Sequence, residues 1–280
     1  MHNLDFHIQH IAQRAVSLIL RMVACMPQQV IQRTATKSIL INSDMGEGIG
    51  LHAFGNDAEL MSIIDVANIA CGFHAGDPDE MNRTVELAAA NGVAVGAHPG
   101  LPDLVGFGRR RMMLTPEEVE TIILYQTGAL TAFLTKHGLK LNHIKPHGAL
   151  YGMLAGDEEL MQAAGSVAKL LEVPFFGLAG TAHESVCREL GVEFVPELYV
   201  DLNYSNQGAL IIQRRPEITN PEAAASRVSE ALAGGPVLAV DGTELNIDFS
   251  SICVHSDAPN SPQVAAAVRD AVDKATTLDN

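Results

Sequence analysis

One alternation runs through this chain and leaves few folds open to it. Short apolar, strand-like runs at 38–41, 66–70, 93–97, 141–144, 174–178, 192–200, 237–240 and 251–254 are separated by segments with helical patterning. Helices are expected near 58–64, after the Asp77-Pro78 cap, from Pro116 to about His137, near 158–171, over 182–190, near 221–233 and from about Pro262 to Ala275. Thr115 with Glu118 reads as a capping box, and Pro78 as a first-turn proline. Strands alternating with helices imply a parallel sheet, and strands apolar along their length imply burial on both faces. About seven or eight such units in a chain of 280 residues predict an α/β fold, a β/α barrel of about seven parallel strands rather than a doubly wound sheet. Residues 38–280 read as a single domain.

In such a sheet, whatever follows the strands gathers at their C-terminal ends, where α/β proteins carry their chemistry. Four polar motifs fall there: Asn42-Ser43-Asp44-Met45-Gly46-Glu47, the stretch from Asn68 to Asp77, Gly96-Ala97-His98-Pro99 and His143-Ile144-Lys145-Pro146-His147-Gly148. Asn42 and Asp44 share one side of a strand end because side chains alternate with period two, and Glu47 follows in the turn. Two neighbouring carboxylates can divide into acid and base or hold a metal; a capped glycine turn is the purely structural alternative. His74 and Asp77 occupy a loop just past a strand. His98 precedes a proline, which holds it extended and fixes the direction of its ring. Arg109 can clamp a carboxylate, although an arginine run also suits a solvated loop.

The strongest single signal is the fourth motif. His143 and Lys145 share a strand face and His147 follows across a proline, and an unpaired buried ammonium is too costly to serve packing alone. Asp44 and Glu47 are the expected partners of Lys145. His255 and Asp257 repeat the pattern after the last strand-like run. The set suggests proton transfer or metal work on a small polar substrate. Asp44, Glu47, His74, His98, Lys145 and His147 are the catalytic candidates. Asn42, Asp77, Arg109, His143, His255 and Asp257 are the substrate-binding candidates. No tightly bound metal is expected; a metal-dependent alternative would draw on His74, His98 and His143, with His147 and Asp44 as further donors.

A formal charge of −15 argues against non-specific binding to nucleic acid or anionic lipid. Neither G-x-x-x-x-G-K-[ST] nor G-x-G-x-x-G occurs, so a conventional phosphate loop is absent. Cys25, Cys71, Cys187 and Cys253 form no C-x-x-C pair and read as free thiols of a reducing, cytoplasmic compartment; Cys71 and Cys253 suit small buried hydrophobes. Residues 1–37 differ from the rest, with Asp5 alone set against Arg14, Arg21, Arg33 and Lys37. Ile8, Ile11, Ala15, Leu18, Ile19 and Met22 share one helical face, but the apolar run is too short to cross a bilayer. A peripheral helix, an overlong start and an organelle targeting segment all fit this extension.

Taken together, N-x-D-[LM]-G-E, ANIACGFHAGD, GAHP followed by FGRR, HIKPHGALY and ICVH-x-D-x-P resemble the LamB/YcsF family, the A component of 5-oxoprolinase, from about Leu40 to Ala275. The resemblance implies a distorted β/α barrel related to the glycoside hydrolase/deacetylase superfamily. It also implies ATP-dependent opening of the 5-oxoproline lactam to glutamate, with Mg²⁺ accompanying the ATP and 5-oxoprolinase subunits B and C as partners. Four positions depart from the family pattern, one of them Ser256, which stands for the Gly of the usual H-G-D. Leu40 stands where an Asp is usual, and Leu202 and Gln207 replace the Arg and Asp of F-x-D-R-x-Y-x-x-D-G-x-L. Loss of that Arg would weaken recognition of a substrate carboxylate and favours a different lactam or amide.

Overall fold

The computed structural model describes residues 39–212 and 218–278, so the segment 1–37 lies outside the described residues. In chain order the strands are β1 (Leu40–Met45), β2 (Val66–Ala70), β3 (Ala94–His98), β4 (Leu141–Ile144), β5 (Phe175–Gly177), β6 (Phe194–Tyr199), β7 (Asn203–Tyr204), β8 (Leu210–Ile211), β9 (Val237–Leu238), β10 (Glu244–Leu245) and β11 (Ser251–Cys253). The first six and β11 close into a parallel barrel in the order β1-β11-β6-β5-β4-β3-β2. The helices are α1 (Asp57–Leu60), α2 (Pro78–Asn91), α3 (Pro116–Lys136), α4 (Gly148–Gly156), α5 (Glu158–Leu170), α6 (Ala182–Leu190), α7 (Pro221–Leu232) and α8 (Ser261–Leu278). Among the described residues, none is long and apolar enough to cross a membrane.

The barrel matches the sequence-based expectation in class and strand number, with three differences. The run at 237–240 is not a barrel strand. Its first two residues form β9, which pairs antiparallel with β10 outside the barrel, because Asp241-Gly242 turns the chain back at once. The helix expected near 58–64 is the single turn α1. Helix α4 was not expected: three of its nine residues are glycine, which lowers helix propensity and hides the pattern. The caps are as read. Asp77 accepts from the amides of Asp79 and Glu80 at the start of α2, and the Thr115–Glu118 capping box opens α3.

Register explains why the motifs meet. Asp44 lies opposite Asn68, Asn68 opposite Gly96 and Ala70 opposite His98, and closure sets Asn42 opposite Cys253 and Cys253 opposite Tyr199. The strand ends are therefore level. Ile41, Met45, Ile69, Val95, Ile144, Leu198 and Ile252 join the apolar cluster of the core, each contributing roughly 1.5–3 kcal/mol by burial. The alternate residues meet inside the barrel, and there the contacts are polar. Asn42 donates to Glu197 and Ser251 at 3.0 and 2.7 Å, and Asn68 donates to Asn42 and Asp44 at 2.8 Å each. Branched aliphatic layers usually fill a β/α barrel; this interior is a hydrogen-bonded network.

Candidate functional site

The network rises along the barrel to the C-terminal ends of the strands, where Lys145 is its centre. Only 1 % of Lys145 is exposed. Its ammonium donates to Asn42 Oδ1, Asp44 Oδ1 and Cys253 Sγ at 3.0 Å each and lies 3.4 Å from Glu197 Oε1. Burial alone would lower its pKa, but the negative field, Asp44 foremost, holds it well above the usual lysine value. Asp44 is thus a partner as expected, whereas Glu47 is not. Glu197, buried in β6 and bonded by the Tyr199 hydroxyl at 2.9 Å, takes that place.

Asp44 and Glu47 differ in state. Burial pushes both carboxyls upward, but His98, Lys145 and His255 surround Asp44 and hold it well below the usual carboxylate range. Glu47, facing Asp44 and Asp257, is pushed well above it. The two carboxyls are thus pushed in opposite directions, the division that neighbouring carboxylates in unlike environments adopt.

Four ligating groups crowd the floor beside Asp44. His98 Nε2 lies 3.0 Å from His147 Nδ1 and 3.3 Å from Asp44 Oδ2. Glu47 Oε1 lies 3.2 Å from His74 Nε2 and 3.5 Å from His147 Nδ1. The rings of His74 and His147 stack at 3.7 Å. Backbone carbonyls fix two of these rings: His98 Nδ1 donates to the Lys145 carbonyl at 2.7 Å, and His147 Nε2 donates to the Phe107 carbonyl at 2.8 Å. Phe107 offers that carbonyl from a left-handed conformation, φ 52°, a strain that persists only where surrounding contacts enforce it. Two glycines admit the rings. A Cβ on Gly108 would stand 2.7 Å from His74 Cβ and 2.9 Å from His147 Cδ2, and one on Gly100 would overlap the His74 ring. Burial first, then neighbouring cations, keeps His74 and His147 neutral at physiological pH.

His255 is different. Asp201 accepts its backbone N–H at 2.7 Å and its Nδ1–H at 2.9 Å, while Nε2 points to Asp44 Oδ2 at 3.5 Å. Burial lowers its pKa, but Asp201, Asp44 and Asp257 outweigh this and raise it to about 9. The result is an imidazolium with 16 % of its side chain exposed. Asp44, His98, Lys145, His147, Tyr199 and His255 line a cavity of 40 Å³, room for about one water molecule. Arg109, Tyr151, Leu210 and Ile212 border both this cavity and a groove of 720 Å³, within the range of small-molecule sites. Arg109 pairs with Asp257 at 2.7 Å on the rim.

The barrel thus brings together all six catalytic candidates, with Arg109, His255 and Asp257 around the opening. Three substrate-binding candidates stand apart. Asp77 is tied up as the α2 cap. Asn42 lies beneath Lys145 within the network. His143 is fully buried and bonded to Asn68 at 2.7 Å, so its ring does not join the imidazole cluster as the alternative metal set supposed; His147, a further donor of that set, does, and Glu47 completes the group. Asn68, Glu197, Tyr199 and Asp201 were missed. The carboxylate of Glu197 inside the apolar run 192–200 was one available signal, since a charge buried in a strand requires a partner, and the F-x-D-R segment that ends on Leu202 was another, because Tyr199 and Asp201 fill its first and third places.

Residues 39–278 match the LamB/YcsF family. The chain is 46% identical over 239 residues to the 5-oxoprolinase A component of Thermus thermophilus, covering 84% of this chain and 96% of that protein. It is 45% identical over 242 residues to the lactam utilization protein lamB of Emericella nidulans, covering 85% and 95%. The crystal structure of the lactam utilization protein from Thermus thermophilus superposes with a TM-score of 0.78 at 44% identity over 85% of this chain and 97% of that one. A putative cellobiose-phosphate cleavage protein of Enterococcus faecalis shares the fold at a TM-score of 0.51 and 12% identity, covering 86% and 95%. A family match across nearly all the described residues, with relatives this similar over most of their length, places the chain in the LamB/YcsF family.

Proposed function

We propose that this protein opens a lactam ring, 5-oxoproline or a close analogue, to the amino acid as one subunit of an ATP-dependent hydrolase. The supporting observation is the approach of His255 Nε2 to Asp44 Oδ2 at 3.5 Å beside a cavity of 40 Å³ that both residues line. Hydrolysis needs a base that takes a proton from water and an acid that returns one to the departing ring nitrogen. Asp44 fills the first role and His255 the second. Lys145 offsets the charge that develops on the carbonyl oxygen. The C–N bond breaks as the C–O bond forms, and the amine leaves with the proton from His255.

An unactivated amide resists water at neutral pH, which is the physical reason for ATP. Transfer of a phosphoryl group from ATP to the lactam oxygen, with Mg²⁺ accompanying the nucleotide and ADP released, would make the ring carbon a better electrophile; loss of the ring amine after water adds would leave a carboxyl phosphate, which a second water would cleave to the free acid and inorganic phosphate. Subunits B and C are the proposed partners, since the names of relatives mark them as the A component of a multi-subunit enzyme. The test is glutamate and ADP formation from 5-oxoproline and ATP, with the chain alone and with subunits B and C. Ring opening only with ATP and both partners supports the proposal. Opening by this chain without ATP would favour a second reading, a metal-dependent amidohydrolase, for which the cluster of three histidines and Glu47 speaks. No effect of the Asp44→Asn substitution on the assembled enzyme would instead leave the chain as a non-catalytic component that binds a small acid.

A further inference from the structure

We propose that Glu47, His74, His98 and His147 bind one divalent transition-metal ion, Zn²⁺ or a close analogue. The inference stands whichever lactam the site opens.

The argument begins with lone pairs. A backbone carbonyl can only accept, so His98 carries a proton on Nδ1 and His147 on Nε2. In neutral rings the remaining nitrogens, His98 Nε2 and His147 Nδ1, carry lone pairs that point at each other across 3.0 Å. Glu47 Oε1 points into the same space, 3.5 Å from His147 Nδ1 and 3.2 Å from His74 Nε2. Electron-rich atoms do not converge in this way without something positive between them. A ring nitrogen bonded to a carbonyl behind and open in front is the arrangement that orients a metal-bound histidine.

Spacing supports an ion. The four donor atoms lie within 4.8 Å of one another. Tetrahedral coordination at about 2.0–2.1 Å sets neighbouring ligand atoms roughly 3.3 Å apart. Three of the six separations between donor atoms, 3.0, 3.2 and 3.5 Å, bracket that value; the His74 ring, whose Nδ1 has no hydrogen-bond partner, must turn out of its parallel stack on His147 for both lone pairs to reach one ion. Three imidazoles and one carboxylate, without thiolate, suit Zn²⁺, Co²⁺ or Ni²⁺ better than Ca²⁺ or Mg²⁺. All four residues are buried, so the set is not a chance surface cluster. A second group, Asp44, Cys253 and His255, is also closely spaced, but the Lys145 ammonium already bonds Asp44 and Cys253 there and would repel a cation.

A divalent ion at this cluster would supply Lewis acidity toward a carbonyl oxygen and lower the pKa of a nearby water. The competing arrangement is two protons, one on His98 Nε2 and one on Glu47, holding the same atoms together.

The experiment uses the full chain and needs no substrate. The protein is stripped with a chelator and titrated with Zn²⁺ by calorimetry, and separately with Co²⁺ by visible absorption. We expect about one equivalent bound, a Co²⁺ spectrum of low coordination number and a Tm raised by roughly 10 °C at saturation. Glu47→Gln keeps the side chain's shape and His98→Gln keeps a polar group. Each should weaken Zn²⁺ binding ~100-fold or more, and Glu47→Gln retains the fold if His98→Gln does not. Binding below about 0.1 equivalent, or affinity unchanged in Glu47→Gln, overturns the site and leaves the proton-bridged cluster. Metal binding without lactam turnover in the assembled enzyme would refute the proposed function and leave the metal site standing. Turnover by a chain that binds no ion would do the reverse.

Discussion

Replacing Asp201 by Asn tests the electrostatic account most directly. The side chain keeps its shape and an acceptor for the His255 backbone N–H, while an amide nitrogen replaces the oxygen that accepts from His255 Nδ1–H, so the charge and that one hydrogen bond are removed together and the pH dependence separates them. His255 rises from 6.5 to about 9 in the folded protein. At about 1.4 kcal/mol per pH unit, that corresponds to roughly 3 kcal/mol of folding stability, a magnitude that can stand because the side chain is only 16 % exposed. A raised pKa contributes fully below the unfolded value and is lost as pH climbs through the folded one. The contribution is therefore complete below pH 6.5, about 2.5 kcal/mol at pH 7, and gone above pH 9. Asp201→Asn should remove most of it, because burial then works on His255 against only Asp44 and Asp257. Near pH 7 we expect Tm to fall by roughly 5–10 °C for a domain of this size. The difference from the parent should shrink steadily toward pH 9.5. Thermal unfolding from pH 5.5 to 9.5, with an NMR titration of the His255 ring, measures both quantities. A Tm difference that stays constant across this range would show that Asp201 acts through packing or its hydrogen bonds rather than through its charge.

Three other perturbations have definite outcomes. Lys145→Met should lower turnover of the assembled enzyme ~100-fold or more, and should also destabilise the fold by about 3–5 kcal/mol because Asp44 and Glu197 are left buried without their cation; a variant of parental stability would mean that neither carboxylate relies on it. Leu202→Arg with Gln207→Asp should raise kcat/KM for 5-oxoproline by about tenfold, the scale of one added charge-assisted hydrogen bond, since Leu202 lines the small cavity and Gln207 the groove; no gain would place substrate recognition elsewhere. Removal of residues 1–37, which precede the family match, should leave Tm and activity within error of the full chain, and a large loss of either would assign them a packing role.

Much of this architecture was legible in the sequence because it depends on local signals. Asp77-Pro78, the Thr115–Glu118 box and the apolar runs each announce an element through a neighbour within a few residues. The end-of-strand motifs were legible for the same reason: a parallel barrel gathers its strand ends whatever the closing register. What escaped depends on closure. Glu197 on β6 meets Lys145 at the end of β4 inside the barrel, with β5 between the two strands, and nothing near position 197 reveals that contact. Asp201 sits beside His255 across 54 positions of sequence. The strands read as apolar because their outward residues dominate the pattern, so of the inward series only Asn42 and His143 were picked out, while Asn68 and Ser251 looked incidental. His143 was misplaced by one level: its strand face was read correctly, but its depth in the barrel is set by β3–β4 pairing, where the register shifts between Val95 and Ala97.

The charges of the site, counted together, connect the substrate question to the metal question. Asp44, Glu47, Glu197, Asp201 and Asp257 bring five carboxyl groups to the end of the barrel, and Lys145, Arg109 and His255 bring three cations, each already paired with a carboxylate. Fully ionised, the set carries two surplus negative charges in a region where unpaired charge is strongly disfavoured. Two protons remove that surplus, and so does one divalent ion among Glu47 and the three histidines. The two solutions differ for an incoming anion. Protons leave the site neutral with every cation engaged, so a substrate carboxylate would have to displace an internal partner. An ion held by those four residues would add a positive centre that is not enclosed by a fixed pair and that could take an anion as a fifth ligand. Leu202 makes the difference sharper, because it adds no cation to the same cavity. If the metal site is real, the binding of a carboxylate-bearing lactam should depend on the ion even when no turnover occurs, and calorimetry of 5-oxoproline with the stripped and Zn²⁺-loaded chain measures that dependence. Equal affinity in the two forms would mean that the carboxylate is held away from the cluster, and the groove beside Arg109 would then be its place.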